Sequence, residues 1–280
     1  MTDDRIRSAE QFIWYNGRLL DRHRFAYHFT GGPAEHLLAA LRPYQNPDGG
    51  FGHGLEPDIR APISQPQPVE LALWLLDEVD GYGEEMVSRI LDYLPTVTTV
   101  DGGVPFTLPS VNRYPHGPWW ESPDDPAASI NPTGPIAGLL DRHGIEHPWL
   151  PPALDYCWES LSTLDKGGPY DLRAAVAFLD HVRDRDRAEA AVEPLGSLIH
   201  EHLDGGHVSL FDFAPEPSSV ARRLFRDETV SAHLDALEAG QQADGGWTVG
   251  WPIWTPAAGF EWRSWVTVQS LRWLRAYDRL

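Results

Sequence analysis

The sequence predicts an all-α fold, a single α/α toroid over residues 1–280 with about six inner helices ringed by five or six outer ones. Three observations predict it. An Asp-Gly-Gly triplet recurs along the chain. One-sided helical patterns precede the triplets, and helical patterns apolar around most of their circumference follow them.

The triplets stand at Asp48-Gly49-Gly50, Asp101-Gly102-Gly103, Asp204-Gly205-Gly206 and Asp244-Gly245-Gly246, with a Lys166-Gly167-Gly168 variant between the second and third. Glycine takes the left-handed conformation that ends a helix at no steric cost, and a preceding Asp folds onto nearby amides. Ahead of the first triplet, Leu37, Leu38, Leu41 and Tyr44 share one stripe; ahead of the last, Val230, Leu234 and Leu237 do. Segments 84–94, 148–162 and 186–203 are one-sided in the same way and are expected as outer helices, the last divided or kinked by Pro194. Segments 68–79, 132–140, 169–182 and 261–274 are apolar nearly all round and are expected as buried inner helices. Asn131 is placed to cap the second of these, with Pro132 in its first turn. Residues 5–22 and roughly 217–226 complete the set, and 100–129 is the longest stretch without helical pattern.

Composition limits the partners. No apolar run is long enough to span a bilayer, and the N-terminal segment MTDDRIRSAEQF lacks the basic start and apolar core of a secretory signal. A lone Cys157 allows no intrachain disulfide, so a cytoplasmic location is the simplest expectation. A net charge of −19 repels phosphate backbones and anionic surfaces, which argues against nucleic acid and leaves a small molecule as the expected partner. Twelve tryptophans suit core packing, a chamber with aromatic walls, or both. The oligomeric state is left open.

Gln45-Asn46-Pro47-Asp48-Gly49-Gly50-Phe51 and Gln242-Ala243-Asp244-Gly245-Gly246-Trp247 resemble the QW repeats of squalene–hopene and oxidosqualene cyclases, which recur in protein prenyltransferase β subunits. The resemblance implies an α/α toroid in which Gln45, Phe51, Gln242 and Trp247 tie helices together and take no part in chemistry. Cyclases of that kind join two helical barrels, and this chain has length for one. Ser122-Pro123-Asp124-Asp125-Pro126-Ala127 resembles their Asp-rich proton-donor motif, which implies Asp124 as donor, Asp125 as its neighbour, and Trp119 and Trp120 as aromatic faces for a cation. The alternative is a solvated turn between prolines. Asp155 and Cys157 resemble part of a prenyltransferase zinc site, but the C-terminal inner helix lacks the His such a site needs. Two positions two apart on one helix also do not share a face. No metal site and no cofactor are therefore expected, and no helical DDxxD sequence offers Mg²⁺ to a diphosphate.

The residues suggest a further site. His53, Glu56 and Asp58 follow the first turn and suit acid–base work, or alternatively capping in an elaborate loop. Polar groups near the starts of inner helices are costly unless paired or functional: Gln65, Gln67 and Glu70; Asn131 and Thr133; Asp171 and Arg173; Glu261 and Arg263. Structural pairs such as Asp171–Arg263 are one reading. The other is a substrate-binding rim in which Glu56, Asp58, Glu70 and Asp171 gather with raised pKa values, and Gln67, Arg173, Trp262 and Trp265 contact the ligand. The leading functional expectation is a terpenoid-cyclase-like enzyme that cyclises, isomerises or eliminates from a small apolar or isoprenoid-like molecule. The alternatives are a carbohydrate-active glycosidase or lyase, and a toroid that binds without catalysis.

Overall fold

The structure is a computed structural model, and it describes residues 2–166, 168–205 and 208–280. The protein is all-helical: no strand forms among the described residues, which hold only isolated bridge pairs. The helices are α1 (Thr2–Asn16), α2 (Leu19–Phe29), α3 (Ala34–Leu41), α4 (Pro66–Glu78), α5 (Glu85–Val97), α6 (Ile130–Arg142), α7 (Leu150–Ser160), α8 (Pro169–His181), α9 (Arg185–Val192), α10 (Gly196–Asp204), α11 (Leu210–Phe213), α12 (Asp227–Ala239) and α13 (Pro256–Ala276). None of them is long and apolar enough to cross a membrane. The chain divides into two compact units, residues 1–41 with 206–280, and residues 42–205.

Local chemistry explains where the pattern and the structure differ. The helix expected over 5–22 is two helices, because Asp21 captures the Arg18 amide at 3.0 Å and starts α2 afresh after Gly17. Pro194 divides the 186–203 segment as expected, into α9, a 3-10 turn and α10. The element expected near 217–226 is a 3-10 turn over Val220–Leu224, preceded by the four-residue α11. Segment 100–129 holds two short 3-10 turns and no longer helix. Ser129 rather than Asn131 caps α6, its Oγ accepting the Asn131 amide at 3.2 Å.

The Gly-Gly turns share one docking geometry. The Gln45 Nε2 donates to Gly49 O and to Met86 O on α5, both at 2.9 Å. The Asn46 amide donates to Gly50 O at 2.8 Å, and Asp48 Oδ1 accepts the Gly50 amide at 3.0 Å. The last turn repeats each bond on α1: Gln241 Nε2 reaches Gly245 O at 2.9 Å and Arg5 O at 3.0 Å, and Asp244 Oδ1 accepts the Gly246 amide at 3.1 Å. Gln241 therefore plays the part expected of Gln242, whose own amide donates to Gly240 O from an exposed position. The bond to Gly245 fixes the glutamine four residues before the left-handed glycine, as Gln45 is before Gly49. Phe51 and Trp247 are buried, as their expected structural role requires.

A third turn follows the same plan on α7. Thr98 stands where the glutamines stand and accepts Trp149 Nε1 at 2.7 Å. Gly49, Gly102 and Gly245 have φ of 92°, 91° and 94°. A Cβ on them would come within 2.0, 2.7 and 2.0 Å of the carbonyl oxygens of Arg89, Pro152 and Ser8 respectively. No other residue could combine that φ with that closeness. The turns at 166–168 and 204–206 lie partly outside the described residues.

In the unit of residues 42–205, α6 packs most extensively on α8 and also against α4 and α7. Gly134 and Gly138 make this possible, since a Cβ on them would lie 2.9 Å from Ala174 O and 3.2 Å from Phe178 and His181. In the unit built from both ends of the chain, α13 packs on α1, α2 and α12. There the fully buried Arg24 donates to Gln269 Oε1 at 2.8 Å and lies 3.9 Å above the Trp265 ring.

Candidate functional site

Side chains of α4 and α8 meet because α6 is thin where it faces α8. Glu70 and Trp74 are one turn apart on α4, and Trp74 Nε1 donates to Glu70 Oε1 at 3.1 Å. The Trp74 ring meets the His181 ring of α8 edge-on, 5.0 Å between centroids. Trp74 thus touches both a carboxyl and an imidazole. Arg173 and Ala177 precede His181 by eight and four residues and share its stripe on α8; Arg173 is exposed, and Tyr170, one turn earlier, is 42% exposed.

Burial shifts both titrating groups toward their uncharged forms. Burial raises the pKa of Glu70, against the opposing pull of the Arg173 charge and the Trp74 hydrogen bond. Burial lowers the pKa of His181, opposed first by the Asp180 charge and then by the bond to Ala177. His181 Nδ1 lies 2.6 Å from Ala177 O. A carbonyl only accepts, so Nδ1 carries the proton of the neutral ring and Nε2 keeps its lone pair. A carboxyl of raised pKa suits giving a proton, and an imidazole whose Nε2 keeps its lone pair suits taking one.

Around this centre the polar groups hold the frame. Gln67 Nε2 donates to Asn131 Oδ1 at 2.9 Å, which ties the start of α4 to that of α6. At the other end, Asp77 accepts from His143 Nε2 at 2.7 Å and pairs with Arg142 at 3.5 Å, and Tyr82 stacks on His143 at 3.7 Å. Gln65 accepts the Leu108 amide at 2.8 Å, and Thr133 accepts the Val104 amide at 2.9 Å, so both fasten the 100–129 segment.

The other expected site residues lie in other settings. Asp171 accepts the Gly168 amide at 3.0 Å, capping α8, and lines a cleft of about 290 Å³ with Ser129, Tyr156, Ser160 and Thr163. Glu56 and Asp58 are each 2% exposed and enclosed by their own loop, where Glu56 Oε2 accepts the Asp58 amide at 2.7 Å. His53 is exposed with φ 58°, its Nε2 3.0 Å from Asn46 Oδ1. The four carboxylates expected to gather are thus held in three local settings, because helix capping and loop closure engage Asp171, Glu56 and Asp58.

Asp124 and Asp125 are exposed on the 100–129 segment. Trp120 is buried and stacks on Phe106 at 4.7 Å in a cluster with Ile59, Ala61 and Val111, while Trp119 is 39% exposed. Trp262 packs edge-on against Trp251 at 5.2 Å, and Trp265 has a face covered by Arg24. Arg263 pairs with Asp244 at 2.8 Å in place of the expected Asp171, because the turn that precedes α13 brings its own carboxylate closer. Cys157 is fully buried, its thiol pKa pushed up by burial, and Asp155 is exposed on the opposite side of α7. Among the described residues, no group of three or more His, Cys, Asp or Glu is placed so that it could hold a metal ion.

No protein-family model matches the chain, and no curated protein matches it in sequence. A crystal structure of a protein from Actinoplanes is similar over 99% of both chains, with a TM-score of 0.61 and 16% identity. The likeness is one of fold.

Glu70, Gln67 and Arg173 stand out in the sequence as polar groups on apolar helices. Trp74 and His181 do not. The signal for them is spacing: Trp74 stands four residues after Glu70, and His181 eight after Arg173.

Proposed function

We propose that this protein is an enzyme that moves protons on a small apolar or amphipathic molecule, with Glu70 as general acid and His181 as general base. The observation that carries the reading is the contact of Trp74 with both groups, by a hydrogen bond to Glu70 and ring to ring with His181. Proton transfer works best with groups whose pKa lies near the operating pH; burial raises Glu70 toward it and favours the neutral, proton-accepting ring of His181. A carboxyl made less acidic by burial is a poor protonator of an unactivated alkene. Isomerisation or elimination therefore suits it better than cation-initiated cyclisation. The repeated Gln-turn geometry supports a kinship of scaffold with the terpenoid-cyclase superfamily, and fold kinship leaves the chemistry to the site. A sugar-cleaving role is less favoured, because Asp171 is the one carboxylate among the described lining residues of the polar cleft, and glycoside hydrolysis uses two.

Deuterium exchange tests the reading across a range of candidate substrates at once. The protein is incubated in D₂O with a panel of small ketones, enones and allylic compounds, and mass spectrometry follows deuterium incorporation. The expected result is incorporation into at least one compound, reduced about 100-fold or more in Glu70→Gln. No incorporation by the native protein, or equal incorporation by the variant, would overturn it.

A further inference from the structure

We infer that the cleft at the starts of α6 and α8 is a binding site for a small hydroxylated primary amine, with Asp171 holding its ammonium group. The cleft shares no residue with the acid–base pair, so the two readings stand or fall separately. At about 290 Å³ it lies at the small end of ligand-site sizes. Ser129 and Ile130 line it from the start of α6, and Tyr156 and Ser160 from α7. Thr163 and Leu164 line it from the 3-10 turn after α7, and Asp171 from the first turn of α8. The Tyr156 ring is fixed against the Asp101-Gly102-Gly103 turn, where a Cβ on Gly103 would come within 2.7 Å of it.

Hydrogen-bond capacity and charge select the ligand. Ser160 Oγ donates to Tyr156 O at 2.8 Å, and Thr163 Oγ1 donates to Ser160 O at 3.0 Å. Their hydrogens are taken, so both hydroxyls only accept from a ligand. Asp171 uses Oδ2 for the Gly168 amide at 3.0 Å, and no described residue donates to its Oδ1. Ser129 Oγ accepts the Asn131 amide at 3.2 Å and keeps its own hydrogen to donate. The Tyr156 hydroxyl can donate too. Burial raises its pKa, and the Asp101 and Asp171 charges add to the effect, so the phenol keeps its proton. No Arg, Lys or His stands among the described lining residues. A phosphate or carboxylate would therefore meet Asp171 with no counter-charge. A neutral polyol would match the hydroxyls but leave the carboxylate without one. An ammonium group brings three donors and the opposite charge, and hydroxyls beside it can accept from Ser129 and Tyr156. Ile130 and Leu164 cover the carbon skeleton. The net charge of −19 also draws a cation toward the chain.

Calorimetric titration of the full chain with glucosamine and with glucose, at low ionic strength and about pH 6, where the amine carries its proton, tests this. Glucosamine is expected to bind about tenfold more tightly than glucose or better, as a charge-assisted contact provides. Asp171→Asn, whose amide oxygen can still accept the Gly168 amide, is expected to abolish the preference. Asp171→Gln, which also keeps a capping oxygen, should do the same, and circular dichroism checks the fold of both variants. Asp186→Asn removes an exposed charge of α9 and should leave the preference intact. Failure of glucosamine to bind, equal binding of the two sugars, or a preference that survives the Asp171 substitutions overturns the inference. An equal loss in Asp186→Asn would show attraction to the acidic chain at large, and overturns it as well. None of these outcomes bears on Glu70 or His181, whose role the deuterium exchange tests separately.

Discussion

The chemistry of single side chains is set by burial and by the nearest partner, and the residues that stand out in the sequence divide along that line. Glu70 and Arg173 are legible because a charge on an otherwise apolar helix is costly without a purpose. Asp124 and Asp125 mislead because a motif-like spacing says nothing about exposure, and both are exposed. His181 and Trp74 are hidden because an aromatic ring on an apolar helix reads as core. The raised pKa of Glu70 has a consequence for stability. Its folded-state value lies above its unfolded one, so the folded chain holds the extra proton between the two, and stability falls as pH rises through that window. Glu70→Gln removes this dependence. Melting curves of the two proteins should differ little below about pH 4, and the variant should gain on the native protein as pH rises above it. A constant difference across the window would contradict the assignment.

Elements are joined by the Gly-Gly turns, and at this scale the sequence is most informative. The recurrence of the triplet is plain. The register is not, since Gln241 and Gln242 are adjacent and only the bonds to Arg5 O and Gly245 O distinguish them. The equivalence of Thr98 to the glutamines is also invisible, because a hydroxyl accepting from Trp149 replaces an amide donating to a carbonyl. Gln241→Ala, which strips two hydrogen bonds from backbone carbonyls, is expected to cost roughly 1–3 kcal/mol and lower the melting temperature by several degrees. Gln242→Ala should leave it within a degree or two of native, and the opposite ranking would restore the first register. Gly245→Ala faces both a φ of 94° and the Ser8 carbonyl, and should cost at least about 2 kcal/mol in denaturant unfolding.

At the scale of the whole molecule, the all-helical class follows from the periodicity, while the break between α1 and α2 does not, because it rests on one carboxylate, Asp21, turning back to the Arg18 amide. One compact unit is built from both ends of the chain, with α13 packed on α1 and α2 and Arg24 buried against Trp265 and Gln269. Removing residues 256–280 should therefore unfold the N-terminal helices as well, with hydrogen exchange over 2–29 rising to the unprotected rate. Protection that persists there would show those helices to be stable by themselves. The central claim is that the thin, glycine-lined α6 lets α4 and α8 bring Trp74 against both a carboxyl of raised pKa and a buried imidazole. The most direct measurement is the carboxyl ¹³C titration of Glu70 by NMR. The account predicts a midpoint above the ordinary glutamate value of about 4.3, moving higher still in Arg173→Gln. A midpoint at or below the ordinary value, unmoved by that substitution, would contradict it.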